Sequence, residues 1–133
     1  MDHLITKILN STQTIAVVGL SANPEKPSHD VARFMQNHGF RIVPVNPNEQ
    51  TILGEKCYPS LSAIPFEIDL VNIFRKTEDC PDIVGEAVQI KAKNIWLQLG
   101  IFSEEAQRIA EQGNINFVMN LCLKTEYLRH HHA

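Results

Sequence analysis

Gly19, Ser21, Lys26 and Ser28 follow one another closely in a loop that starts where an apolar run ends. Residues of these types in such a loop could hold a phosphate. Glycine lets a backbone approach an anion closely, or simply turns sharply. Ser21 offers a hydroxyl and Lys26 a cation. Ser28 reads as the N-cap of the following helix, whose free N–H groups would face a pyrophosphate. His29 lies beside the loop and could touch a ligand. Asp30, in the first helical turn, suits the helix dipole and weakly opposes an anion there. A lone glycine also fits a plain strand-to-helix turn.

More polar residues gather at the ends of the other apolar runs. Leu20 follows Gly19; Asn46-Pro47-Asn48 follow Val45; Phe74, Arg75 and Lys76 form a third group; Gln98-Leu99-Gly100 and Asn120 complete the set. Turn chemistry favours Asn, Gly and Pro at strand ends in any protein. It does not account for Arg75, Lys76 and Gln98 together, although the Arg75-Lys76 pair also fits a solvated surface. The position after the second run discriminates between nucleotides. A site for NAD puts an acid there to bind the ribose hydroxyl, and a first loop of the form GxGxxG before it. Here the loop lacks two of those glycines and the residue is Asn46. A neutral amide suits a phosphorylated ribose better, with Arg75 and Lys76 as countercharge.

Catalytic patterns are sparse. The chain has no HExxH, GxSxG or Walker lysine motif. His38 falls on the face of a predicted helix with Val31, Phe34 and Met35, so it reads as a core-facing packing or capping residue. Glu126 and Tyr127 have no recognisable base or nucleophile partner, and Trp96 reads as core. Cys57, Cys80 and Cys122 form no CxxC, and their odd number argues for reduced thiols over a disulfide framework. The terminal His130-His131-His132-Ala133 is assigned no function, and no metal site is expected.

The elements that must position these residues alternate. A short amphipathic helix over Leu4, Ile5, Ile8 and Leu9 precedes a strand at 14–19. A helix closed by Gly39 leads to a strand at 41–45. Residues 51–65 read as a connection with a helical turn near 61–64. Further strands fall at 68–74, 94–99 and 115–119, separated by helices that start near Pro81 and at the N-cap Ser103, with a closing helix at 121–129. The strands are apolar on both parities, as in a parallel sheet covered on both faces. The expected fold is therefore α/β: one domain over 1–133, with a doubly wound parallel five-stranded Rossmann-like sheet of order 3-2-1-4-5. Ligands would bind outside the carboxyl ends of the strands, at a switch point between the first and fourth. The length of 133 residues suits a single core, and 44% hydrophobic with 20% charged residues is an ordinary globular balance. A net charge of −3 gives no electrostatic case for nucleic acid. No run approaches the roughly 20 apolar residues of a membrane span, and no signal-peptide core is present, so the expected location is the cytoplasm.

The segments VVGLSANPEKPSHDVARFMQNHGFRIVPVNPN, ILGEKCYPSLSAIP, DLVNIFRK and IWLQLGIFSEEA, in that order, resemble the small bacterial and archaeal CoA-binding proteins of Rossmann type. These are similar to the nucleotide-binding half of the succinate–CoA ligase α subunit standing alone. The resemblance covers roughly residues 13–128. It implies coenzyme A at the carboxyl rim of the sheet. Gly19, Ser21, Lys26 and Ser28 match the family's phosphate loop and Asn46 and Pro47 its turn after the second strand; the neighbouring Leu20, His29 and Val45 are expected at the same binding site. Phe74, Arg75 and Lys76 would flank the adenosine, with Gln98 and Gly100 near the pantetheine exit. The family usually has an arginine before the cysteine of its C-terminal segment; here Leu121 precedes Cys122. The ligase's phosphorylated histidine belongs to a second domain, so ligase activity is not carried over.

The resulting expectation is a module that binds coenzyme A or a short acyl-CoA without catalysis of its own. A partner-dependent acyl-CoA ligase or transferase component is one alternative, with the protein partner unidentified. An NAD(P)-binding redox sensor is another. Gly19→Val is expected to abolish binding in a protein that still folds.

Overall fold

The computed structural model describes residues 1–130; His131, His132 and Ala133 lie outside the described residues. Along the chain come α1 (Asp2–Ser11), β1 (Thr14–Val18), α2 (Pro27–Asn37), β2 (Arg41–Val45), β3 (Thr51–Ile52) and β4 (Glu55–Lys56). There follow β5 (Leu70–Ile73), α3 (Cys80–Gln89), β6 (Asn94–Leu97), α4 (Glu104–Gln112), β7 (Asn116–Val118) and α5 (Leu123–His130). Five parallel strands form one sheet, and β3 pairs with β4 in a small separate hairpin.

Strand parity builds two cores. Ile15 and Val17 pack with Ile5, Ile8, Met35, Trp96 and Leu123 on the α1, α2 and α5 side. Ala16 and Val18 pack with Val71, Ile73, Val84, Ala87 and Ala110 on the α3 and α4 side. Both faces are buried, which is why the strands read as apolar throughout. Local signals act as their chemistry requires. Ser103 Oγ accepts the Ala106 amide at 3.1 Å and caps α4. Gly39, at φ +95°, turns the chain out of α2. His38 is exposed rather than core-facing. Its ring stacks on Phe34 with centroids 4.1 Å apart, and its Nδ1 lies 2.8 Å from the Phe34 carbonyl, so it packs and caps at the helix end.

The strand order differs from the expected 3-2-1-4-5. The sheet runs β2-β1-β5-β6-β7, which is 2-1-3-4-5 for the five long strands. The outer edge of β2 is already occupied. After the β3–β4 hairpin the chain returns along it: the Tyr58 amide donates to the Pro44 carbonyl, and the Asn46 amide donates to the Tyr58 carbonyl, both at 3.0 Å. Pro44 has no N–H, and its carbonyl points to that outer edge, so a full strand there would lack a ladder bond. β5 therefore docks on the opposite edge of β1, with Ile15 opposite Leu70 and Val18 opposite Ile73. The switch point falls between β1 and β5.

Candidate functional site

At the carboxyl ends of β1, β5 and β6 lies a cleft of about 860 Å³. That volume is near the upper end for small-molecule sites. Its floor is the switch point itself. Gly19 leaves β1 at φ +85° with its amide donating to the Val45 carbonyl at 3.0 Å, and it packs against the backbone of Phe74. One wall is the start of α2, and the opposite wall is the start of α5.

The loop after β1 is held by its own side chains. The Ser21 amide donates to Ser28 Oγ at 3.0 Å, and the Asn23 amide donates to Ser21 Oγ at 3.0 Å. Ser28 is thus not the N-cap expected from the sequence. Lys26 takes that position without a side-chain cap, and Pro27 begins the helix. Pro27 has no N–H, and the amides of His29 and Asp30 both donate to the Lys26 carbonyl at 3.1 Å. The helix end therefore presents the Ser28 amide, a narrower anion site than a row of free N–H groups.

Eight of the expected residues line the cleft: Gly19, Ser21, Lys26, Ser28, Phe74, Arg75, Lys76 and Gln98. Six do not. Leu20 and Val45 are buried in the core. His29 is buried with Nδ1 2.9 Å from the Ser21 carbonyl, behind the loop it was expected to serve. Asn46 donates through Nδ2 to the Leu20 carbonyl at 3.0 Å and accepts the Asn48 amide at 2.8 Å, so its amide ties two loops together. Pro47 is exposed beside it. Gly100, at φ +87°, donates its amide to Asn120 Oδ1 at 2.8 Å and shapes a turn.

The sequence patterns do not point to Val31, Ile101, Cys122, Lys124 and Thr125, yet all line the cleft, with Leu99 of the strand-end rim among them. The signal for Leu99 and Ile101 was an apolar pair around a glycine at a strand end. Leu99 is 64% exposed, unusual for a leucine beside buried β6. The rim expected after the fifth strand ends at Asn120, two residues before Cys122.

The charges divide into paired and unpaired. Lys124 Nζ lies 3.1 Å from Asp30 Oδ2, joining the two walls, and Arg33 Nη2 lies 3.3 Å from Asp30 Oδ1. The Lys124 hydrogen bond, more than its charge or that of Arg33, holds the Asp30 carboxyl below its ordinary range despite partial burial. Arg75 Nη2 pairs with Asp79 Oδ2 at 3.0 Å. Lys26 and Lys76 have no carboxylate partner among the described residues, so two ammonium groups border the cleft uncompensated. With Val31, Leu99 and Ile101 alongside, the cleft can hold a molecule with a multiply charged anionic part and a less polar arm. Among the described residues no group of His, Cys, Asp and Glu could hold a metal ion, and no helix is long and apolar enough to cross a membrane.

A doubly wound parallel α/β sheet with a cleft at its switch point defines a Rossmann-like class of domain. Within it, this chain belongs to the CoA-binding domain family, whose sequence model matches residues 13–128. It is 39% identical to the uncharacterized protein YneT of Bacillus subtilis (strain 168), over 92% of this chain and 91% of that one. A hypothetical protein from Pyrococcus horikoshii OT3 superimposes with a TM-score of 0.93 at 35% identity, covering 97% of this chain and 91% of that one. The acetate–CoA ligase (ADP-forming) II of Archaeoglobus fulgidus is 36% identical over 74% of this chain, which spans only 15% of the ligase.

Proposed function

We propose that this protein binds coenzyme A, free or as a short acyl thioester, in the cleft at the carboxyl ends of β1, β5 and β6, and has no catalysis of its own. One observation carries the reading: in a chain of the CoA-binding domain family, the uncompensated Lys26 and Lys76 and the Ser28 amide border the same cleft as the apolar Val31, Leu99 and Ile101. Coenzyme A has that division, with phosphates at one end and the pantetheine arm at the other. Gly19 and Lys26 would meet the pyrophosphate. Arg75 and Lys76 would meet the 3′-phosphate or the adenosine, and the arm would run past Gln98 toward α5. The protein is proposed to act on this small molecule in the cytoplasm.

A second reading, a component of an acyl-CoA ligase that works with a partner subunit, is supported by the match to a short part of the acetate–CoA ligase. The two make different demands on the isolated chain. Titration calorimetry with CoA, NAD and ADP tests the first. Saturable, stoichiometric CoA binding with no response to NAD is the expected result. Preference for NAD would overturn it in favour of a redox sensor, and CoA binding that appears only when a ligase subunit is added would favour the second reading.

A further inference from the structure

Asn72 is 1% exposed, a polar residue in the middle of the sheet, with Leu70, Val71 and Ile73 as its buried neighbours on β5. It sits opposite Val17 of β1 and Trp96 of β6, both packed on the α1, α2 and α5 side. Side chains alternate along a strand and align across it, so Asn72 lies on that side too. Two residues on from Asn72 and Trp96 come Phe74 and Gln98, which line the cleft. Asn72 is therefore placed one row beneath the cleft rather than in its lining.

The hydrogen bonds of its carboxamide are one-sided. Nδ2 donates to the Trp96 carbonyl at 3.3 Å and to Gln98 Oε1 at 3.4 Å, whereas the buried Oδ1 has no partner among the described residues. The opposite orientation of the amide would set Oδ1 against those two oxygens, so its neighbours fix the orientation. Both bonds are longer than the usual N–H···O range of about 2.7–3.2 Å, and so weak. An acceptor left unmatched in a buried place destabilises a fold. A valine or isoleucine, as at the neighbouring positions of β5, would fill the site without leaving one. Packing alone does not account for an asparagine here.

The side chain that Asn72 does hold is Gln98. It is 6% exposed, and its Oε1 accepts from Asn72 and from the Leu123 amide, the latter at 3.3 Å. A backbone N–H can only donate, so the Leu123 contact identifies the oxygen end of the Gln98 carboxamide. With its oxygen turned inward to two donors, Gln98 presents its amino end to the cleft it lines. The chain of contacts from Asn72 through Gln98 to Leu123 joins β5, β6 and the start of α5, the wall that carries Lys124 and Thr125. Without the Asn72 donor, the Leu123 amide alone would hold that orientation.

We infer that Asn72 is a positioning residue for the ligand: it fixes the Gln98 carboxamide so that Nε2 donates to a carbonyl of the ligand's arm. The inference rests on the CoA reading and deepens it. Coenzyme A carries phosphates at one end and amide carbonyls along its pantetheine arm. On that reading Lys26 and Lys76 meet the phosphates, and Asn72 touches neither. Asn72 therefore acts on recognition of the arm and not of the nucleotide. The fold carries an unmatched buried acceptor because its partner end aims a donor into the cleft.

Titration calorimetry of the full chain tests this, with CoA and with adenosine 3′,5′-bisphosphate, which keeps the phosphorylated ribose and lacks the arm. Thermal melts run beside it. In Asn72→Val the melting temperature should equal or exceed that of the parent, since the unmatched acceptor is gone and Gln98 Oε1 keeps the Leu123 amide. CoA affinity should fall about three- to tenfold, the loss of one well-aligned hydrogen bond, while the bisphosphate binds as before. Asn72→Ala, which cannot overpack the site, should give the same split between the two ligands. Gln98→Met should lower CoA affinity by a similar factor, and adding Asn72→Val to it should change nothing further, as for two residues acting through one contact. Equal losses for both ligands, unchanged CoA affinity in Asn72→Val, additive losses in the double variant, or a melting temperature well below the parent in both Asn72 variants would overturn the inference and leave the CoA reading intact. No CoA binding to the parent protein would overturn the reading beneath it.

Discussion

A β-carbon on Gly19 would press into the backbone carbonyl oxygen of Phe74 and lie 3.0 Å from Arg75 Cδ. The glycine thus fits two loops together at the switch point before any ligand arrives. Its φ of +85° adds a conformation that side chains disfavour. The expectation that Gly19→Val leaves the fold intact is revised accordingly. Even Gly19→Ala should lower stability, by about 1–3 kcal/mol from backbone strain plus the displacement of the Phe74 loop. Urea titration should show a lower midpoint, and CoA binding should weaken in parallel. A midpoint equal to that of the parent would mean that the Phe74 loop yields freely.

The charge pattern predicts discrimination at the 3′-phosphate. Coenzyme A should bind more tightly than dephospho-CoA by roughly 1.5–3 kcal/mol where the contact is partly desolvated. Lys76, which has no ion pair, should contribute more of this than Arg75, which must loosen its 3.0 Å contact with Asp79. Lys76→Met should narrow the difference between the two ligands. Calorimetry with both ligands on both proteins checks this, and equal affinities in the parent would remove the 3′-phosphate from the site.

Asp69 should give the fold a measurable acid limit. Burial opposes its ionisation, but the Thr14 and Gln13 amides each donate to Oδ2 at 3.0 Å and Lys93 Nζ lies 3.4 Å from Oδ1. Together the partners hold the carboxyl below its ordinary 3.8. The unfolded chain therefore takes up this proton first as pH falls. The stabilisation is complete above pH 3.8 and is lost as pH drops through the lower native value. Asp69→Ala should cost roughly 1.5–3 kcal/mol near neutral pH, since it removes hydrogen bonds to a charged acceptor. Thermal melts across an acid series should show the parent and variant converging below that range; a constant gap would assign the loss to packing.

Strand positions, helices and the carboxyl rim were legible in the sequence because each rests on a local pattern. Ile15 and Val17 against Ala16 and Val18 already indicate two covered faces, and Ser103 caps α4 as its position suggested. Strand order was not legible from those patterns, because it depends on where residues 46–60 return. Pro44 was the available clue: its missing N–H marks β2 as an edge. The site divided in the same way. Gly19, Lys26 and Gln98 follow strands directly and were identified, whereas Cys122 and Lys124 reach the cleft only because α5 packs beside α2 through the Asp30–Lys124 pair. Asn46 was read as a ligand group because its position after β2 matched one. Its amide is instead engaged by the Leu20 carbonyl and the Asn48 amide.

Turnover is the remaining prediction. His29 was the residue that could have overturned a binding-module reading, since it adjoins Ser28 in the sequence. Its ring faces the Ser21 carbonyl at 2.9 Å, while Ser28 Oγ accepts the Ser21 amide. The two side chains thus brace opposite groups of one residue, and neither activates the other. Cys122, the thiol on the cleft, has no histidine within the set of groups lining it. The purified chain should therefore release no thiol catalytically from acetyl-CoA or succinyl-CoA. Following thiol release from several acyl-CoA esters with a thiol-reactive dye checks this. A saturable rate that persists over many turnovers and vanishes in His29→Ala, with the fold intact by circular dichroism, would make this chain an enzyme.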